Sequence, residues 1–168
     1  TTTRAESVKH SLFFWGVALL LPIFHFTLHV GLGIGAGAPD LLTVGLLVTA
    51  RQVRTGTAAG MGFALGLMED ALSILSFGAN AVALTVVGIL GARSRHIFVG
   101  ESLTFLASYL ALGIWLRGAI HWLLTRDGAR EEAIRVLLVQ VPMAAAYSAA
   151  VGTVLLMVTG IWKSGPSR

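Results

Sequence analysis

Apolar runs broken by short polar or glycine-rich connections occupy nearly the whole 168-residue chain. Crossing about 30 Å of hydrocarbon takes roughly 20 helical residues, and on that scale the pattern predicts six helices. The first runs from about Ser11 to Leu32. The glycine-rich stretch Gly31-Leu32-Gly33-Ile34-Gly35-Ala36-Gly37 then turns the chain, and Pro39 suits the first turn of a second helix, Pro39 to Ala50. That helix is short, rising only about 18 Å, which predicts a broken or tilted element. Further helices are expected over Gly56–Leu75, Asn80–Arg93, Glu101–Leu124 and Arg135–Trp162, with one clearly polar connection, Thr125 to Glu132. No linker, low-complexity tract or repeat divides the chain, so residues 1–168 read as one domain.

Composition turns this pattern into a membrane protein. The chain is 55% hydrophobic and 12% charged, with a mean hydropathy of +0.81, whereas a soluble domain carries about 25% charged residues. A pI near 10.4 and a net charge of +4 raise nucleic acid as a partner. The basic residues form no stripe, however, and lie at the ends of apolar segments, where they report orientation instead. Arg4, Lys9, Arg51, Arg54, Arg93, Arg95, Lys163 and Arg168 fall on one side, against Arg126, Arg130 and Arg135 on the other. This bias puts both termini in the cytoplasm and requires an even number of spans. Arg4 and Lys9 precede an apolar stretch as in a signal peptide, but the stretch is too long and closes on no small-x-small site, so it reads as a retained helix. Cysteine is absent, which removes disulfide and thiol chemistry.

Polar residues inside the apolar runs are the candidate site. A charge at membrane depth persists only when paired or turned toward protein or water. With alternating helices, Asp70 lies roughly two thirds of the way across by helical rise, Arg117 reaches a similar level, and His25 and His29 share the outer half one turn apart. Asp40 and Asn80 begin the second and fourth helices near the outer boundary. The inner half is nearly free of such groups, which predicts a polar cluster or cavity opening outward. Gly62, Gly66 and Asp70 are spaced by four and share one helix face, so a neighbouring helix can approach closely there. The expected partner of Asp70 is Arg117. The alternative is that Asp70 caps or bonds backbone where its helix ends.

His25 and His29 have i, i+4 spacing compatible with a metal, to which Glu69 or Asp70 would add oxygen ligands. No Cys or further His supports that set, and hydrogen bonding to a carbonyl or water is the favoured reading. Arg117 and His121 are also four apart, with snorkelling of Arg117 to the outer surface as the simple alternative. Trp15, Trp115, Trp122 and Trp162 sit toward segment ends as interfacial anchors do, and Pro22 and Pro142 are expected to kink the first and last helices. No serine, histidine and acid arrangement suggests a nucleophile, so no enzyme, cofactor or metal is expected.

Pro39-Asp40 before an apolar helix, the string Gly62-Phe63-x-x-Gly66-Leu67-x-x-Asp70-x-Leu72-Ser73, then Gly78-Ala79-Asn80-Ala81 and a helix ending at Arg93 and Arg95, together resemble the bacterial rod shape-determining protein family MreD. This core covers about a third of the chain. Two departures are Phe77, where members often carry Pro, and the extra charge of Glu69. The resemblance implies a non-catalytic subunit of the peptidoglycan elongation machinery in the cytoplasmic membrane. The implied partners are MreC, through its membrane helix and periplasmic domain, and beyond it the actin-like MreB, the glycosyltransferase RodA and its class B penicillin-binding protein. It also implies an all-α fold similar to the six-helix substrate-binding (S) subunits of energy-coupling-factor transporters. The loops Arg51–Arg54 and Arg93–His96 are candidate contacts for a filament or anionic lipid, Thr125–Glu132 for a periplasmic partner, and a homodimer stays open. The competing reading is a transporter S subunit for a vitamin or metal, although the Ala-x-x-x-Ala docking motif of those subunits is missing from Ser11–Leu21.

Overall fold

The computed structural model describes residues 4–31, 38–72, 77–94, 102–125 and 134–160. Within them the chain is all-helical. Helix α1 spans Arg4–Phe26 and runs into a π-helical turn, Thr27–Gly31. Helices α2 (Leu41–Ala50), α3 (Thr55–Ala71), α4 (Ala79–Ser94) and α5 (Leu103–Thr125) follow. A second π-helical turn, Val136–Gln140, leads into α6 (Val141–Thr159). Pro142 follows directly on that π turn, inside a helical run that is continuous from 134 to 159. The irregular turn lies just ahead of the residue that lacks an N–H.

The short second helix is the centre of the molecule. All ten residues of α2 are buried, with Leu42, Val44, Leu46 and Ala50 completely inaccessible. Every other helix packs against it. A helix walled by protein on all sides has no lipid thickness to match, which accounts for its shortness; residues 32–37, on which a broken element would draw, lie outside the described residues. Around it, Leu84 and Val87 of α4, Leu110 and Ile114 of α5 and Leu156 of α6 complete the core. The Tyr109 hydroxyl of α5 donates to the Leu47 carbonyl (3.1 Å), one of the four at the end of α2 without an intrahelical partner.

Outward faces are as apolar as the core. Phe13, Leu20 and Phe24 on α1, Leu112 and Leu123 on α5, and Met143, Val154 and Val158 on α6 are all about half exposed or more, Val158 at 82%. Exposed apolar surface on this scale needs lipid or protein to cover it. Three stretches are long and apolar enough to cross a membrane: Leu12–His29, Leu103–Thr125 and Val136–Thr159. The other three helices are shorter, at 10, 17 and 16 residues for α2, α3 and α4.

Helices α3 and α4 form the tightest pair. The buried residues of α3 are Ala58, Gly62, Gly66 and Asp70, a stripe of period four turned to α4, as the glycine spacing predicts. A Cβ on Gly66 would lie 2.5 Å from the Asn80 carbonyl oxygen, and one on Gly88 would lie 2.5 Å from that of Ala58. Both distances lie inside van der Waals contact, so the two backbones touch only because these positions have no side chain. Gly78, with φ of 95°, makes the turn immediately before α4.

Candidate functional site

At one end of the bundle α1, α3 and α5 finish, and α2, α4 and α6 begin. The side chains gathered there come from sequence positions far apart. Asp40 is the N-cap of α2: its carboxylate accepts from the Thr43 N–H (3.0 Å) and the Thr43 hydroxyl (2.7 Å). Its own backbone N–H donates to Ser148 Oγ of α6 at 3.0 Å, which fixes the start of α2 against the last helix. An acceptor three residues ahead of a free first-turn amide is the capping spacing.

Arg117 of α5 reaches across to this cap. Its Nη1 donates to Asp40 Oδ2 at 2.6 Å and to Thr43 Oγ1 at 3.2 Å. The other terminal nitrogen, Nη2, donates to both oxygens of Glu69 and to Asn80 Oδ1 at 3.1 Å. One guanidinium thus ties together α2, α3, α4 and α5. Arg117 is only 9% exposed, so it does not snorkel. Burying a cation is tolerable because two carboxylates and two neutral acceptors meet it.

The expected Asp70–Arg117 pair does not form; Glu69 takes that place. Asp70, completely buried, accepts from the backbone N–H groups of Asn80 (3.1 Å) and Ala81 (2.9 Å) in the first turn of α4. A carboxylate on a helix N-terminus meets both unpaired amides and the positive end of the helix dipole. The alternative role in helix capping therefore describes Asp70, with the cap reaching across to the next helix. The reason lies in angle, not depth. Asp70 belongs to the Gly62–Gly66 stripe facing α4, and Glu69, about 100° round the helix, is turned toward α5.

His25 and His29 are brought together as expected, with rings stacked at 4.1 Å between centroids. His25 is 2% exposed, and its Nε2 lies 3.9 Å from Glu69 Oε1. The Nδ1 atoms of both rings are buried and have no hydrogen-bond partner among the described residues. No group of three or more His, Cys, Asp or Glu side chains among those residues is arranged to hold a metal ion.

These groups line a cavity of about 540 Å³. Its polar wall includes His25, His29, Asp40, Glu69, Asn80 and Arg117; Phe26, Leu72, Ile114 and Val141 contribute the apolar side. All the candidate residues meet at this one end except Gly62 and Gly66, which line the α3–α4 contact leading to it. Sequence reasoning missed Thr43 and Ser148 outright, and saw Glu69 only as an oxygen donor to a metal. The Asp40-x-x-Thr43 spacing was a readable signal for the first; nothing local marks Ser148. Comparison with protein-family models, curated proteins and solved structures finds no match to this chain.

Proposed function

We propose that the chain is a non-catalytic, multi-pass subunit of the bacterial elongation complex, similar to MreD, in the cytoplasmic membrane. In this reading all six helices lie in the bilayer, both termini are cytoplasmic, and the fold is of the transporter S-subunit type. Its work is to bind MreC and so help assemble MreB, RodA and the penicillin-binding protein around the site of peptidoglycan synthesis.

One observation carries the reading: the residues that bear the family resemblance are used for architecture. Asp40 caps α2, Gly62 and Gly66 admit α4, Asp70 caps α4, and Asn80 receives Arg117. A motif spent on fixing helices to one another suits a protein that presents a shaped surface to partners. The broad apolar exterior of α1, α5 and α6 gives membrane helices something to pack on.

The cavity favours a second reading, a solute-binding subunit of a transporter, because a pocket of this size with convergent polar groups is typical of small-molecule sites. Purification from native membranes under mild detergent separates the two. Recovery of an MreC-type coiled-coil protein supports the first; recovery of ATPase and coupling subunits without it replaces that reading with the second.

A further inference from the structure

At the end of the bundle opposite the cavity, α2 and α4 finish and α3 begins. The three backbones meet there through small side chains. Ala50, Ala58 and Ala92 are buried in one cluster, with Val53 packed against it. A Cβ on Gly91 would lie 3.2 Å from that of Ala50. Each element of this contact carries an arginine beside it in sequence: Arg51 follows Ala50, Arg54 follows Val53, and Arg93 follows Ala92. Packing of the small residues thus gathers three cationic positions on one rim.

The helix dipole accounts for two of them in part, since Arg51 caps the C-terminus of α2 and Arg93 lies in the last turn of α4. Arg54 is different. It stands at the N-terminus of α3, where the dipole opposes a cation, and its side chain caps nothing. Nor is the charge offset by acids. Among the described residues none of the three arginines forms an ion pair, and Asp40, Glu69 and Asp70 are all committed at the other end. Arg51 is half-buried over the Tyr109 ring, 5.9 Å from its centroid, while Arg54 and Arg93 are exposed.

The surface leading to this rim is apolar. Val82 and Leu90 of α4 are 47% and 45% exposed, and with Arg93 they share one face of the helix by its period. An exposed apolar track that ends in cations has the layout of a phospholipid, with a phosphate at the rim and a chain below it. A cytoplasmic protein would meet the same charges but leave the track uncovered.

We propose that the rim of Arg51, Arg54 and Arg93 binds the phosphate headgroup of an anionic phospholipid, whose acyl chain lies along the α4 face of Leu90 and Val82. The inference rests on a membrane location and not on the elongation-complex reading. A chain that recovers no MreC-type partner would still hold the lipid.

Phosphatidylglycerol is the probe, with phosphatidylcholine of the same acyl chains as its control. The full chain, purified in mild detergent with equal amounts of both, should retain phosphatidylglycerol preferentially in native mass spectrometry. One arginine near an anionic headgroup is worth about fivefold in affinity, so Arg54→Gln with Arg93→Gln should lower that retention by about tenfold or more. Arg51 stays in place because of its contact with Tyr109. Arg54→Gln alone serves if the double variant does not fold. Arg4→Gln with Lys9→Gln removes the same charge from the start of α1 and should leave retention unchanged. Glycerol phosphate, the charge without the chains, should not displace the lipid at equal concentration. Equal losses in the two double variants would mean diffuse attraction and overturn the assigned site. Displacement by glycerol phosphate would overturn the lipid in favour of a free phosphate. Equal retention of both lipids by the original protein would overturn the proposal outright and leave the arginines to a protein partner.

Discussion

Glu69 and Asp70 are neighbours in sequence with opposite assignments: Glu69 accepts both its bonds from Arg117 of α5, and Asp70 accepts its two from the first backbone amides of α4. Two adjacent acids in an apolar helix are thus reconciled with burial by two different means, a cation and a helix terminus. Neither is spare, and each holds α3 to a different neighbour.

Asp70→Ala removes the acceptor for two buried amides. Caps of this kind contribute about 0.5–2 kcal/mol, and the complete burial of Asp70 places this one at the upper end. Asp70→Asn keeps one oxygen and should recover part of that loss. Unfolding in graded SDS, followed by circular dichroism, gives both values; equal stability of the alanine variant and the original would remove the capping role.

Gly66→Ala puts a methyl 2.5 Å from the Asn80 carbonyl, so α3 and α4 must separate. Overpacking of this sort costs about 1–3 kcal/mol. Gly56→Ala, on the same helix with nothing within 4 Å of the added carbon, should be neutral or raise stability by about 0.4–1 kcal/mol through the unfolded chain. Melting temperatures of the two variants should move in opposite directions or, at the least, differ clearly.

Sidedness follows from the placement of turns. Gln52 lies between α2 and α3, and Phe77, 74% exposed, lies just before α4. If both α2 and α3 cross the membrane, cysteines at 52 and 77 react with a membrane-impermeant maleimide from opposite sides, position 77 in intact cells and position 52 only after lysis. Labelling of both from outside would break the proposed topology.

Much of this arrangement is legible in the residues. The period of four through Gly62, Gly66 and Asp70 gives the α3 face that meets α4, and the rise of a helix brings His25, Asp40, Asn80 and Arg117 to one level. The clustering of polar groups at one end of the molecule follows from that spacing and that rise once successive helices alternate in direction. The partner of Arg117 does not, because depth fixes only one coordinate. Choosing between Glu69 and Asp70 needs the rotation of α3 about its axis, which is set by the glycine contact with α4. The role of α2 was hidden for a related reason. A short apolar run reads the same whether it lies in lipid or at the centre of a protein, and only the packing of α1 and α3–α6 around it decides.

Arg117 is neutralised by Asp40 and Glu69 and makes no hydrogen bond with Asp70, which is held by the amides of α4. Double-mutant cycles in SDS unfolding test it directly, with Arg117→Gln combined in turn with Glu69→Gln and with Asp70→Asn. Arg117→Gln alone should be clearly destabilising, at or below the lower end of the about 3–5 kcal/mol known for breaking fully buried pairs, since it leaves two half-buried carboxylates without their cation. Its coupling with Glu69→Gln should fall in the range of about 0.5–3 kcal/mol found for contacting groups, and its coupling with Asp70→Asn should stay within about 0.5 kcal/mol of zero. Strong coupling to Asp70 with none to Glu69 would mean that Asp70, and not Glu69, neutralises Arg117.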